Sequence, residues 1–161
     1  MYSKEEIIHR LREIPDPEIP VIDILELGVL RDVIIDEDRV EVLITPTYSG
    51  CPAMKQIEQD VIKKLKEMGI TNSSVKLIYT PAWTTDWITD AAKEKLRKYG
   101  IAPPENSSQD KGTLMGKVKK VACPQCKSLN TEMVSQFGST ACKALYRCLD
   151  CKEPFDYFKC I

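Results

Sequence analysis

Apolar positions in the first hundred residues follow two rhythms, one of three to four residues and one of two. Ile7, Ile8 and Leu11 recur at helical spacing after Ser3-Lys4-Glu5-Glu6. That tetrad is a capping box, in which a serine and a glutamate three positions on satisfy each other's free amides. Ile14-Pro15 ends this helix, and the Pro-punctuated segment Asp16-Pro17-Glu18-Ile19-Pro20 follows. Residues 29–36 and 39–45 are rich in Val, Ile and Leu and are separated by the acidic turn Asp36-Glu37-Asp38, a β-hairpin pattern. From 52 to 68, Met54, Ile57, Val61, Ile62, Leu65 and Met68 mark one face of a helix. Lys63, Lys64, Lys66 and Glu67 mark the other, and Gly69 stops it. Residues 74–80 form a third strand, and residues 86–99 a second long helix ending at Gly100.

The order α-β-β-α-β-α predicts an α+β domain over residues 1–102, helices packed on a small mixed sheet. Residues 103–117 are rich in Pro, Ser, Gly and charge and lack periodicity, the composition of a linker. Residues 118–161 carry short β-prone pieces at 132–137, 144–147 and 155–158. They hold too few apolar side chains to fold without a staple. A small all-β ribbon stapled by metal is the expectation there.

Composition narrows the function. A chain of 161 residues, 43% hydrophobic and 29% charged, has a soluble protein's balance. No apolar run approaches the roughly 20 residues that cross a bilayer, and the N-terminus is too charged for a signal peptide. A cytoplasmic protein that avoids membranes is expected. Net charge is -1. Residues 1–102 hold 14 Lys and Arg against 18 Asp and Glu, and residues 118–161 hold 7 against 4. With no polybasic stripe, nucleic-acid binding lacks its electrostatic footprint.

Seven cysteines, six of them after residue 122, suit metal or reactive thiols better than disulfides. Cys123-Pro124-Gln125-Cys126 and Cys148-Leu149-Asp150-Cys151 stand 21 residues apart. Two such turns flanking a hairpin bring four sulfurs to one point, the tetrahedral thiolate set that zinc prefers. A rubredoxin-like iron uses the same ligands, but nothing here suggests an electron-transfer partner for it. Thiol-disulfide exchange fits the spacing less well than metal does. The only histidine, His9, sits on a predicted surface helix far along the chain from this ring. Cys142 has two readings, a small buried hydrophobe or a partner-facing thiol. Cys160 is most simply a passive thiol.

Cys51 lies in Thr45-Pro46-Thr47-Tyr48-Ser49-Gly50-Cys51-Pro52, between a buried strand and the long helix. With Pro52 in the first helical position, Cys51 falls at or beside the N-cap. There free amides and the helix dipole favour a reactive thiolate. Burial alone is the competing reading. Asp16 and Glu18 are turn formers unless their loop folds against Cys51. Trp83 and Trp87 are either core and capping residues, with Thr85 or Asp86 as the helix cap, or an exposed pair facing a protein partner.

The segments DPEIP (16–20), TYSGCPAM (47–54), PAWTTDWI (81–88) and FGSTACKALYRCLDCKEPFDYFK (137–159) together resemble the PaaD family, small subunits encoded with the phenylacetyl-CoA epoxidase of aerobic phenylacetate catabolism. The N-terminal part is similar to the SufT-like and cytosolic iron-sulfur targeting factors, whose functional cysteine matches Cys51. The resemblance implies an accessory role in assembling or delivering an iron-sulfur cluster, with the reductase component as client and the iron-sulfur assembly machinery as further partner. It implies that Cys51 handles iron or a transient cluster and that Asp16 and Glu18 support it. The alternative is a non-catalytic structural or regulatory subunit of the oxygenase. Catalysis by this chain alone is disfavoured: a lone thiol without a nearby histidine base makes a poor nucleophile. A single histidine also cannot supply the paired Glu-x-x-His motifs of a di-iron centre, and there is no Gly-rich dinucleotide fingerprint. A homodimer meeting at Cys51 would let two chains share a cluster.

Overall fold

In the computed structural model, residues 1–104 and 120–158 are described. Contacts divide the chain into two compact units, Met1–Trp83 and Thr84–Ile161.

The first unit opens with helix α1, Lys4–Leu11, and its capping box is formed as the sequence requires: the Ser3 hydroxyl accepts from the Glu6 amide, and the Glu6 carboxylate accepts from the Ser3 amide at 2.7 Å. Ile7 and Leu11 face inward, while Ile8 is half-buried and His9 exposed. Strands β1 (Leu30–Asp36) and β2 (Arg39–Ile44) pair antiparallel through a turn at Glu37, whose φ is +48°. Strand β2 alternates cleanly, burying Val40, Val42 and Ile44. Strand β1 does not, because a register shift between Leu30 and Asp32 returns Val33 to the same buried side as Leu30. Helix α2, Ala53–Glu67, then carries the chain across to β3 (Ser73–Leu77), which runs parallel to β2, a pairing that needs such a crossover. Met54, Ile57, Val61 and Leu65 form the buried face of α2. The Lys64 ammonium ties α2 to the segment just after α1, bonding Glu13 at 2.9 Å, and also meets Glu67 of its own helix at 3.2 Å.

The helix expected over 86–99 is shorter than the pattern suggests. A 3-10 turn spans Thr85–Trp87, the chain extends at Ile88, and helix α3 covers Asp90–Tyr99. Threonine side chains impose the break, since the Thr84 hydroxyl accepts from the Asp86 amide and the Thr89 hydroxyl accepts from the Ala92 amide. Each thus starts its own turn, so the caps are Thr84 and Thr89 rather than Thr85 or Asp86. Gly100, at φ +92°, ends α3 in the left-handed conformation expected of it.

Helix α3 leads into a two-residue strand, β4 (Ile101–Ala102), which the sequence pattern does not announce. It pairs parallel to β7 (Pro154–Phe158) in a four-stranded sheet ordered β4-β7-β6-β5, where β5 is Thr131–Ser135 and β6 is Lys143–Cys148. The core is small and aromatic. Tyr146 stacks on Phe155 at 5.8 Å between centroids and meets Tyr157 edge-on at 5.6 Å, over Ala144, Val121, Cys123 and Cys148. Most of the expected linker, and Cys160, lie outside the described residues.

Candidate functional site

The candidate residues fall into two places, a four-cysteine cluster in the second unit and the lone Cys51 with its neighbours in the first. In the second unit, the ligand atoms of Cys123, Cys126, Cys148 and Cys151 all lie within 4.8 Å of one another. The Cys123 and Cys151 sulfurs are 3.7 Å apart, and those of Cys126 and Cys148 are 3.5 Å apart. Tetrahedral zinc with Zn–S bonds of about 2.3 Å requires sulfurs about 3.8 Å apart, so the donor set fits. The four thiolates would hold the ion and leave no open position, which makes its role there a staple for β5, β6 and β7.

The two turns are near-copies of each other. In each, the first cysteine's amide donates to the carbonyl five residues on, Cys123 to Ser128 at 2.9 Å and Cys148 to Glu153 at 3.0 Å. In each, the residue after the second cysteine is left-handed, Lys127 at φ +63° and Lys152 at φ +67°. That conformation points a backbone amide back at the second sulfur: Ser128 donates to Cys126, and Glu153 donates to Cys151. Thiols this close cannot all ionise without a cation. The amide of Cys151 helps bring Cys148 down to about 7. At Cys151 the Glu153 amide pulls downward, but burial and hydrogen bonds to the sulfurs of Cys148, Cys123 and Cys126 push it up to about 12. Such a pattern is what a bound divalent ion relieves.

In the first unit, Gly50, at φ +74°, turns the chain into Cys51, and Pro52 occupies the N-cap of α2. Cys51 therefore stands one residue outside the cap, half-buried, and its sulfur accepts from the Ala53 amide. The thiolate expected from the helix start is not favoured. Burial pushes the Cys51 thiol up, outweighing the Ala53 amide, and the Glu18 carboxylate adds to the rise. Side-chain bonds from Tyr48 and Thr47 act in the opposite direction.

The Glu18 carboxylate of the acidic turn is thus near enough to act on the thiol through its charge. Asp16 is 5% exposed, and its Oδ1 accepts from the amides of Glu18 and Ile19, each at 2.9 Å. Asp16 thus shapes the turn, whereas Glu18 reaches the site. The Tyr48 hydroxyl donates to Glu18 Oε1 at 3.4 Å. With a single proton, Tyr48 serves either Glu18 or a Cys51 thiolate at any moment. Thr47 and Tyr48 were visible in the sequence beside Cys51, but nothing in their spacing assigns them a role.

Two of the expected partner-facing residues are placed differently. Trp83 is 4% exposed, and its Nε1 donates to the Leu27 carbonyl at 2.9 Å, so it belongs to the core of the first unit. Cys142 is 2% exposed, with the Thr140 hydroxyl 3.0 Å from its sulfur. Burial of both withdraws them from any protein surface. Trp87 is half-buried in the 3-10 turn.

Comparison with known proteins follows the same division. Over 156 residues, 97% of this chain and 92% of the relative, the sequence is 49% identical to an Escherichia coli K12 protein named as a component of 1,2-phenylacetyl-CoA epoxidase. The chain belongs to the PaaD family. Its residues 107–159 match the PaaD zinc beta ribbon domain, and residues 4–77 match the iron-sulfur cluster assembly protein family. The PaaD-family chain is also 36% identical, over 58% of its own length and 92% of the other's, to the Fe-S protein maturation auxiliary factor YitW of Bacillus subtilis. A crystal structure of a DUF59 domain from Bacillus anthracis aligns at 31% identity with a TM-score of 0.54, covering 58% of this chain and 90% of that one. Among the described residues no helix is long and apolar enough to cross a membrane.

Proposed function

We propose that this PaaD-family chain is an accessory protein of the phenylacetyl-CoA epoxidase system that assists assembly or delivery of an iron-sulfur cluster, with the reductase component as client. Cys51 handles the iron or cluster, and Asp16 and Glu18 support it. The observation that carries this reading is the bond from the Tyr48 hydroxyl to Glu18, which ties the acidic turn to the loop of Cys51 and leaves the Glu18 carboxylate within electrostatic reach of the thiol. The match to the iron-sulfur cluster assembly protein family spans residues 4–77 and so includes Asp16, Glu18 and Cys51, which supports the reading.

The chemistry suits transfer rather than storage. Stable clusters are ordinarily held by four cysteine thiolates, and one thiol supplies a single bond to the cargo. A protonated Cys51 must release its proton on binding iron, so affinity rises with pH. A second copy of the chain meeting the first at Cys51 would add a second thiolate. A solution mass that doubles on adding iron supports that arrangement, and an unchanged mass rejects it.

Anaerobic titration of the zinc-loaded full chain with ferrous iron tests the assignment. One equivalent bound with thiolate-to-iron charge-transfer absorption, abolished in Cys51→Ala and weakened in Glu18→Gln, is the expected result. Identical binding by the Cys51→Ala chain would remove Cys51 from the role.

A further inference from the structure

The four metal ligands are unequally protected. Cys123 and Cys148 are buried and Cys151 is half-buried, but Cys126 is exposed. A competing chelator or thiol reaches an exposed ligand first, so retention of the ion depends on how firmly the Cys126 turn is held.

The hold comes from the other turn. Asp150, between Cys148 and Cys151, extends across to the segment that follows Cys126. Its Oδ2 accepts from the Ser128 hydroxyl, and its Oδ1 accepts from Asn130 Nδ2 at 2.9 Å. The same region is cross-braced by backbone: the Asn130 amide donates to Ser128 Oγ at 3.0 Å, and the Leu149 amide donates to the Asn130 carbonyl at 2.8 Å. Ser128 in turn supplies the amide that bonds the Cys126 sulfur. An unbroken path therefore runs from Asp150 through Ser128 to the exposed ligand. The near-symmetry of the two turns makes the feature stand out, because Gln125 occupies the position equivalent to Asp150 and offers no carboxylate there.

We propose that Asp150 is a positioning residue for the four-cysteine metal site, clamping Ser128 and Asn130 so that Cys126 stays on the ion and the metal is retained. Outer-shell partners of this kind typically change metal affinity by about 10-fold to 100-fold when removed. The alternative contribution of Asp150, its charge, has the opposite sign: four thiolates and a divalent ion carry about -2, so deleting a nearby carboxylate would relieve repulsion and tighten binding.

The test is the rate at which the full-length zinc-loaded chain gives up zinc to excess 4-(2-pyridylazo)resorcinol, with alkylated cysteines mapped by mass spectrometry during release. Asp150→Ala is expected to lose zinc about 10-fold faster, with Cys126 modified first. Asp150→Asn has the same charge change but keeps an acceptor oxygen, and it should stay within about 3-fold of the native rate. Ser128→Ala removes two hydrogen bonds, the one to Asp150 and the one from the Asn130 amide, without touching a charge, and it too should speed release, which keeps the proposal open to test if Asp150→Ala fails to fold. Native release rates in both Asp150→Ala and Ser128→Ala would overturn the clamp. Slower release in Asp150→Ala and Asp150→Asn alike would overturn it in favour of charge.

Discussion

At the residue scale, Cys51 sits where two effects oppose each other. The amide at the start of α2 stabilises a thiolate, but half-burial and the neighbouring Glu18 carboxylate stabilise the thiol, and burial is the larger. The position was legible from Gly50-Cys51-Pro52, whereas the protonation state was not, because burial is set by the folded chain and the Glu18 charge comes from a distant stretch of it. Alkylation of Cys51 in the zinc-loaded protein should therefore rise at higher pH than that of a free cysteine, whose pKa is about 8.5. Glu18→Gln removes the like charge and should move the profile to lower pH, read as the iodoacetamide rate of the Cys51 peptide. Trp83 carries a second prediction at this scale. Trp83→Phe strands the Leu27 carbonyl in the core and should cost about 1–2 kcal/mol of stability, measured by urea denaturation.

Among the elements, those with a clean period were the most legible. Helix α2 is found one residue inside its expected ends, and Leu65, at 0% exposed, lies where the spacing places it. Leu65→Ala should cost about 2–5 kcal/mol through the cavity it leaves, while Lys63→Ala on the outer face should change stability by less than about 0.5 kcal/mol; denaturation midpoints separate the two. The region 84–99 was less legible because its apolar spacing continues smoothly across Ile88 while threonine hydroxyls at 84 and 89 cut the backbone into two turns. Strand β4 has two residues and so no period at all, which is why nothing in the sequence announced that the chain after α3 joins the ribbon sheet.

For the whole molecule, the two units draw stability from different sources. Met1–Trp83 contains helices and a sheet with many buried aliphatic side chains, among them Ile7, Val42, Ile57 and Leu65, whereas the second unit has a small core rich in aromatic side chains and a four-cysteine site whose metal would contribute on the order of 10 kcal/mol. Stripping the metal with a strong chelator should remove the strand signal of β5–β7 while the Trp83 environment persists, followed by circular dichroism and tryptophan fluorescence. The four cysteines were legible because a metal site needs ligand types at fixed spacing; the Asp150 brace was not, because its partners are set by how the two turns face each other. The transfer role proposed for Cys51 concerns the protein as a whole. Its most direct test is the iron and sulfide content of the epoxidase reductase purified from cells that lack this chain, carry it, or carry Cys51→Ala. Higher occupancy with the intact cysteine alone is the result expected of a maturation factor, and equal occupancy in all three would contradict it and leave a structural subunit of the oxygenase in its place.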